Sequence, residues 1–155
     1  MHGDIDKILA DLGVVLPEAT PPVANYVPYV MSGQLLFVSG QIPLFNAKPL
    51  AIGQLGLDIS AEQGQACARQ CAVNLIAQIK AACGGDLERV NQIVKLVCFV
   101  NAAPHFTDVP KVANGASDLM VAVFGNKGRH ARSSVGVASL PLGVPCEVEA
   151  IVELK

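Results

Sequence analysis

The sequence predicts an α+β domain in which a mixed sheet is covered on one face by two long helices. Three observations point there. A capped, 3.6-periodic helix spans about residues 60–83, a second follows over about 107–124, and short β-branched runs stand before, between and after them. The 155 residues match the usual size of one domain, and no internal repeat or second domain is visible, so 1–155 read as a single unit. Helices grouped on one face of a sheet with mixed strand directions form the layered α+β arrangement.

Composition narrows the class. Hydrophobic residues are 52% and charged residues 15%, against about 25% charged in an average protein. Disorder, which needs low hydrophobicity and high net charge, is excluded. The net charge of −2 with 11 basic residues gives no footprint for nucleic acid. No run reaches the ~18 apolar residues of a membrane span, and the start, MHGDIDKILADLG, lacks the basic and apolar parts of a signal peptide. A cytoplasmic protein without a membrane partner is expected. The apolar surplus in so small a domain points to an oligomer, because obligate interfaces resemble a core cut in half.

The elements follow in order. Ile5, Ile8, Leu9 and Leu12 fall on one face of a short helix ended by Gly13. Pro17, Pro21, Pro22 and Pro28 make an extended linker. The runs 26–31 and 35–38, separated by Ser32-Gly33-Gln34, read as a hairpin. Gly40 then allows close backbone approach or positive φ. Residues 44–58 read as a loop with an edge strand. Ser60 to Gln63 has the capping-box pattern. The helix it starts carries Ala68, Ala72, Leu75, Ile76, Ile79 and Cys83 as its apolar stripe, and Gly84-Gly85 end it. VNQIVKLVCFV, 90–100, reads as a central strand buried on both faces. In the second helix Pro110 is tolerated in the first turn. Residues 125–128 read as a loop, and 133–138 and 146–154 as the last strands, with Glu147, Glu149 and Glu153 on one face.

The polar inventory is short. Cys67, Cys71, Cys83, Cys98 and Cys146 are odd in number and contain no CxxC, and His2, His105 and His130 are scattered, so no metal is expected and the thiols read as buried and reduced. There is no GxGxxG, GxxxxGK[ST], HExxH or GxSxG, which leaves cofactor-free acid–base chemistry. Arg132 precedes the strand SSVGV, and Glu147 and Glu149 lie on the next one. If these consecutive strands pair, Arg132 and a Glu approach near the sheet end. Arg132 reads either as a structural ion pair or as a fork for a ligand carboxylate. Glu147 reads as a solvated strand carboxylate, His130 as loop surface and Tyr26 as a strand packer, unless a site claims them.

Ser39-Gly40-Gln41-Ile42-Pro43, IVKLVCFVNA, ARSSVGV, Leu140-Pro141 and EVEAI occur in that order across residues 25–153. Together they resemble the YjgF/UK114 family, also called Rid or "endoribonuclease L-PSP". Residues 1–23 lie outside the usual family core, 24–155, and resemble a longer bacterial subgroup. The resemblance implies a chorismate-mutase-like (YjgF-type) fold, a homotrimer with ligand clefts between subunits, and hydrolysis of reactive 2-imino or enamine acids to 2-oxo acids and ammonia. It places the carboxylate-binding Arg on Arg132, the water-orienting Glu on Glu147, the cleft Gly on Gly40 and the cleft Tyr on Tyr26, with Tyr29 the competing choice. Ser134 stands where the family commonly has Cys, and with backbone near Gly40 it is a candidate to hold the imine nitrogen. For the family's helix Asn, Asn114 and Ser117-Asp118 compete, and the GNKGRH loop before Ala131 is unusual. The implied partner is a small carboxylate-bearing substrate. The alternatives are a non-enzymatic binder of small carboxylates using the same cleft, and a ribonuclease, which the acidic balance disfavours.

Overall fold

The computed structural model describes residues 3–19, 21 and 24–155; His2 and Pro22 lie outside them. Helix α1 (Asp4–Asp11) buries Ile5 and Leu9, and Gly13 at φ 69° turns the chain away from it. The Glu88 carboxylate accepts from the Ile5 amide at 2.8 Å, and Lys80 pairs with Asp6 at 2.9 Å. These contacts seat α1 on the rest of the domain.

Strands β1 (Tyr29–Ser32) and β2 (Leu35–Gln41) form the expected hairpin. Its first central residue, Gly33, sits at φ 61°, where a side chain is disfavoured. The strand begins at Tyr29 rather than at 26. After β2, the expected edge strand is instead a separate ribbon of β3 (Leu44–Phe45) and β4 (Lys48–Pro49). Asn46 and Ala47 turn it, with φ of 50° and 62°.

Helix α2 (Ala61–Ala82) has the capping box: Ser60 Oγ accepts from the Gln63 amide, and Gln63 Oε1 accepts from the Ser60 amide. Its apolar stripe is buried in full against the sheet. Strand β5 (Val90–Asn101), helix α3 (Val109–Phe124) and strand β6 (Ala131–Val137) follow, and β7 (Cys146–Leu154) closes the chain. Residues 125–128 are a 3₁₀ turn rather than an open loop.

The main sheet has the order β1-β2-β7-β5-β6. Only β5 and β6 run parallel, as a crossover through α3 demands. Thus β6 and β7 do not pair; β5 lies between them. Consecutive strands are usually neighbours, but α3 carries the chain over the sheet and sets β6 down on the far side of β5. Helices α2 and α3 cover one face. Burial along β7 alternates strictly, with Cys146, Val148, Ala150, Val152 and Leu154 toward the helices and Glu147, Glu149, Ile151 and Glu153 on the open face. Strand β5 is likewise buried on its helix side and only half-buried on the other, so it is not enclosed on both faces within one protomer.

Helices α2 and α3 approach closely because Gly115 faces the α2 backbone. A Cβ on Gly115 would meet Gln65 C at 2.8 Å and Cα at 3.0 Å, atoms that cannot swing aside. Gly115→Ala is therefore expected to cost about 1–3 kcal/mol, as overpacking does. Urea denaturation at fixed protein concentration measures this, and an unchanged midpoint would show that the two helices can part without penalty.

Candidate functional site

One group of candidate residues gathers where β2 leaves its register with β7. The pairing shifts between Val38 and Gln41, so Ser39 and Gly40 form a bulge. Gly40 has no positive φ; it is needed for close approach. A Cβ there would run into Glu147 Oε1 and come within 3.0 Å of Glu147 Cδ. As Glu147 lies, its carboxyl group fills the space that a side chain at residue 40 would occupy. Burial, then the neighbouring Glu149, pushes the Glu147 carboxyl above its usual range.

Ser39 ties the incoming chain to this bulge. Its amide donates to Pro28 O and its hydroxyl to Val27 O, each at 2.8 Å. Tyr26 is thereby held beside Ser39 and Gly40, outside any strand and 53% exposed, on the wall of a cavity of about 520 Å³. Tyr29 packs against the core. Across the cavity, Asn74 of α2 donates to Ile42 O and Leu44 O at 3.0 and 3.1 Å, fixing the chain after the bulge.

A second group stands on the other side of the sheet. Arg132 of β6 is opposite Leu96 of β5, a buried helix-side residue, and its side chain reaches α3. Its Nη1 donates to Asn114 Oδ1 at 2.8 Å and to Ser117 Oγ at 3.1 Å. Asn114 and Ser117 are three apart on α3 and so share a face. Both hydrogens of Nη1 are engaged. Nε and Nη2 have no protein partner among the described residues. Those two nitrogens present parallel N–H groups on one side of the guanidinium, the geometry that matches a carboxylate. Arg132 makes no ion pair among the described residues, so the reading as a structural ion pair is set aside. Ser134, opposite Cys98 on the same face, has a buried Oγ with no partner among the described residues.

His130 is not loop surface. Its ring bonds Ser117 Oγ at 2.8 Å and Gly128 O at 2.6 Å. Burial and then Arg132 act to lower its pKa, outweighing the Gly128 bond. Glu149, on the same face as Glu147, lines a separate hollow of about 160 Å³ with Lys95, Phe37, Val97 and Ile151. All five cysteines are free and buried. Burial pushes Cys67 up to about 12 and Cys71 well above its ordinary value, so these thiols are poor nucleophiles. Among the described residues no cluster of three His, Cys, Asp or Glu is placed to hold a metal.

The two groups do not meet within one chain. The Arg132 row is Leu96 and Ala150; the Glu147 row is Phe99 and Val135. Two strand spacings of ~4.8 Å and three rises of ~3.3 Å put their Cα positions about 14 Å apart, on opposite faces of the sheet. The expected approach of Arg132 to a Glu near the sheet end is thus corrected by the intervening β5.

The chain matches the family described as "YjgF/chorismate_mutase-like, putative endoribonuclease" over residues 6–154. It belongs to the YjgF family. A Trypanosoma cruzi relative, protein TCP17, is 51% identical over 154 residues, 99% of this chain and 96% of that protein. The longer form resembled at the N-terminus is therefore not confined to bacteria. A 2-iminobutanoate/2-iminopropanoate deaminase of Escherichia coli is 33% identical, covering 89% of this chain and 94% of that protein. The crystal structure of Atu1372 from Agrobacterium tumefaciens, of unknown function, superimposes with a TM-score of 0.92 at 46% identity, over 97% of this chain and 92% of that one. The mixed sheet with helices is the fold of the YjgF family.

In this YjgF-family chain, Asn114 stands beside Arg132, and Ser117 stands with it rather than competing. The i, i+3 spacing of the two was a readable signal. His130 carried none, because its contact depends on the turn that folds it back on α3.

The Glu147 shift makes a sign-specific prediction. A carboxyl held above its unfolded value binds a proton that the unfolded chain has shed, so its contribution to stability falls as pH rises through that window. Glu147→Gln should melt slightly higher than wild type at neutral pH, by about 1–3 °C, kept small by the half-exposed position. The gap should close below the ordinary carboxylate range. A variant less stable at neutral pH would mean that the charged carboxylate is stabilised where it lies.

Proposed function

We propose that the protein is a cofactor-free hydrolase that converts 2-imino acids to 2-oxo acids and ammonia. It works as a homotrimer whose clefts join the Arg132 group of one copy to the Gly40–Glu147 group of the next. The observation that carries this reading is the guanidinium anchored by Nη1 alone, with Nε and Nη2 unpartnered among the described residues. The apolar open face supports assembly: Val30, Phe37 and Val135 are 53%, 43% and 44% exposed on it. The deaminase name borne by relatives such as the E. coli one supports the reaction.

The free fork takes the substrate carboxylate as a bidentate pair, which orients the C=N carbon. Glu147, with its raised pKa, accepts a proton from water as the oxygen adds to that carbon. The adduct carries hydroxyl and amine on one carbon. Its amine has taken up the proton that Glu147 accepted; the hydroxyl proton then passes to that amine by way of Glu147, the C–N bond breaks, and ammonia leaves as the carbonyl forms. The buried Ser134 hydroxyl is the candidate partner for the imine nitrogen, and Tyr26 walls the cavity beside Gly40.

A second reading keeps the cleft and drops the turnover. The Arg132 fork needs no base to hold a carboxylate, and Ser134 replaces the cysteine common in the family, so the protein would bind small acids without hydrolysing imines. RNA cleavage fits less well, since the net charge is −2.

A coupled assay separates these. An amino-acid oxidase generates 2-imino acids, and semicarbazide traps what is not hydrolysed. Wild type should lower the trapped imine, and Arg132→Ala, checked for folding and size, should lose about 100-fold or more in kcat/KM. Full turnover by a folded Arg132→Ala would remove the assigned role. Saturable 2-oxobutanoate binding with no turnover would establish the second reading.

A further inference from the structure

We infer that Ser117 and His130 form a one-directional hydrogen-bond chain that holds the Arg132 guanidinium with its Nε/Nη2 fork outward, making both of them positioning residues for the acid-binding arm. The inference rests on the proposed role of Arg132 for its function, but its geometry stands alone.

The direction of every bond follows from one fixed end. Gly128 O can only accept, so His130 Nδ1, 2.6 Å away, carries the proton. In the neutral ring Nε2 is then an acceptor. Ser117 Oγ, 2.8 Å from it, must donate its single proton there. That leaves the Ser117 lone pairs toward Arg132 Nη1 at 3.1 Å, and Arg132 can only donate. Asn114 Oδ1 takes the other Nη1 hydrogen. No bond in the chain can be reversed while His130 is neutral. Protonation would put two cations on one hydroxyl.

The fixed end is itself held. A Cβ on Gly128 would collide with the Met120 backbone, with the carbonyl carbon at 2.6 Å, so the turn is seated directly on α3. The Arg129 carbonyl accepts from Gln92 of β5 at 2.5 Å. Helix, turn and strand thus form a bracket around Arg132. Burial, with the neighbouring Arg132, keeps His130 in the neutral form the chain requires.

The test uses the full-length protein and two readouts. Titration calorimetry with 2-oxobutanoate compares wild type with Ser117→Ala, His130→Leu, His130→Gln and the double Ser117→Ala/His130→Leu. Each single removal should weaken binding about tenfold, one hydrogen bond to a charged group. In the imine assay KM should rise while kcat holds. The double variant should be no worse than Ser117→Ala, because the bonds act in series. His130→Gln, whose amide oxygen can replace Nε2 as acceptor, should recover most of the loss. Additive losses, or wild-type binding by His130→Leu while Arg132→Ala is dead, would overturn the chain. Should Arg132→Ala bind the acid as well as wild type, the acid-arm reading fails instead. The chain is then judged by ¹⁵N imidazole shifts at neutral pH: an Nδ1–H tautomer of His130 supports it, and an Nε2–H tautomer refutes it.

Discussion

Strand β5 separates Arg132 from Glu147, and the character of the site follows from that separation. The β5–α3–β6 crossover sets β6 down parallel at the sheet edge, with Arg132 turned toward α3. The antiparallel return of β7 on the other flank of β5 puts Glu147 on the open face against the β2 bulge. One protomer therefore carries the Arg132 guanidinium and the Glu147 carboxylate on opposite faces of one sheet. In the proposed reaction neither group alone would hold both the substrate carboxylate and the attacking water. In the proposed trimer, the half-buried apolar face of the same sheet is the surface that a second copy covers.

Both groups rest on close backbone packing. Gly40 makes room for Glu147, and Ser39 fastens the Tyr26 segment to the bulge. Gly128 lies on the Met120 carbonyl, and Gly115 brings α3 against α2, so the residues that hold Arg132 stand on a rigid element. Pre-organisation of this kind suits a reaction in which orientation and removal from bulk water supply most of the acceleration.

Much of this was legible in the residues. Ser60 and Gln63 mark the start of α2, and the stripe from Ala68 to Cys83 gives its buried face. Gly33 marks the hairpin, and the alternation of CEVEAIVEL puts three glutamates on one face. The ordered motifs around Gly40, Arg132 and Glu147 pointed to the family that the comparisons show. What failed was the neighbour of β6. The tendency of consecutive strands to be neighbours points to β7, whereas the 16-residue α3 before β6 is the length of a parallel crossover, and two signals of opposite meaning competed. Strand β5 misled for a related reason: a run of Val, Ile, Leu and Phe looks enclosed on both sides, and within one chain only the helix side is. His130 was invisible because its contacts with Gly128 and Ser117 depend on how the 125–128 turn folds the chain back on α3.

Subunit complementation tests the shared cleft most directly. Arg132→Ala and Glu147→Gln proteins are each expected to be inactive alone, then unfolded together, refolded at equal ratio and assayed for imine hydrolysis, with mixed assembly verified by native mass spectrometry. A heterologous interface pairs the Arg132 face of one copy with the Glu147 face of the next, and half of each are intact, so about a quarter of wild-type activity should return. No recovery in assemblies shown to be mixed would contradict a cleft built from two copies.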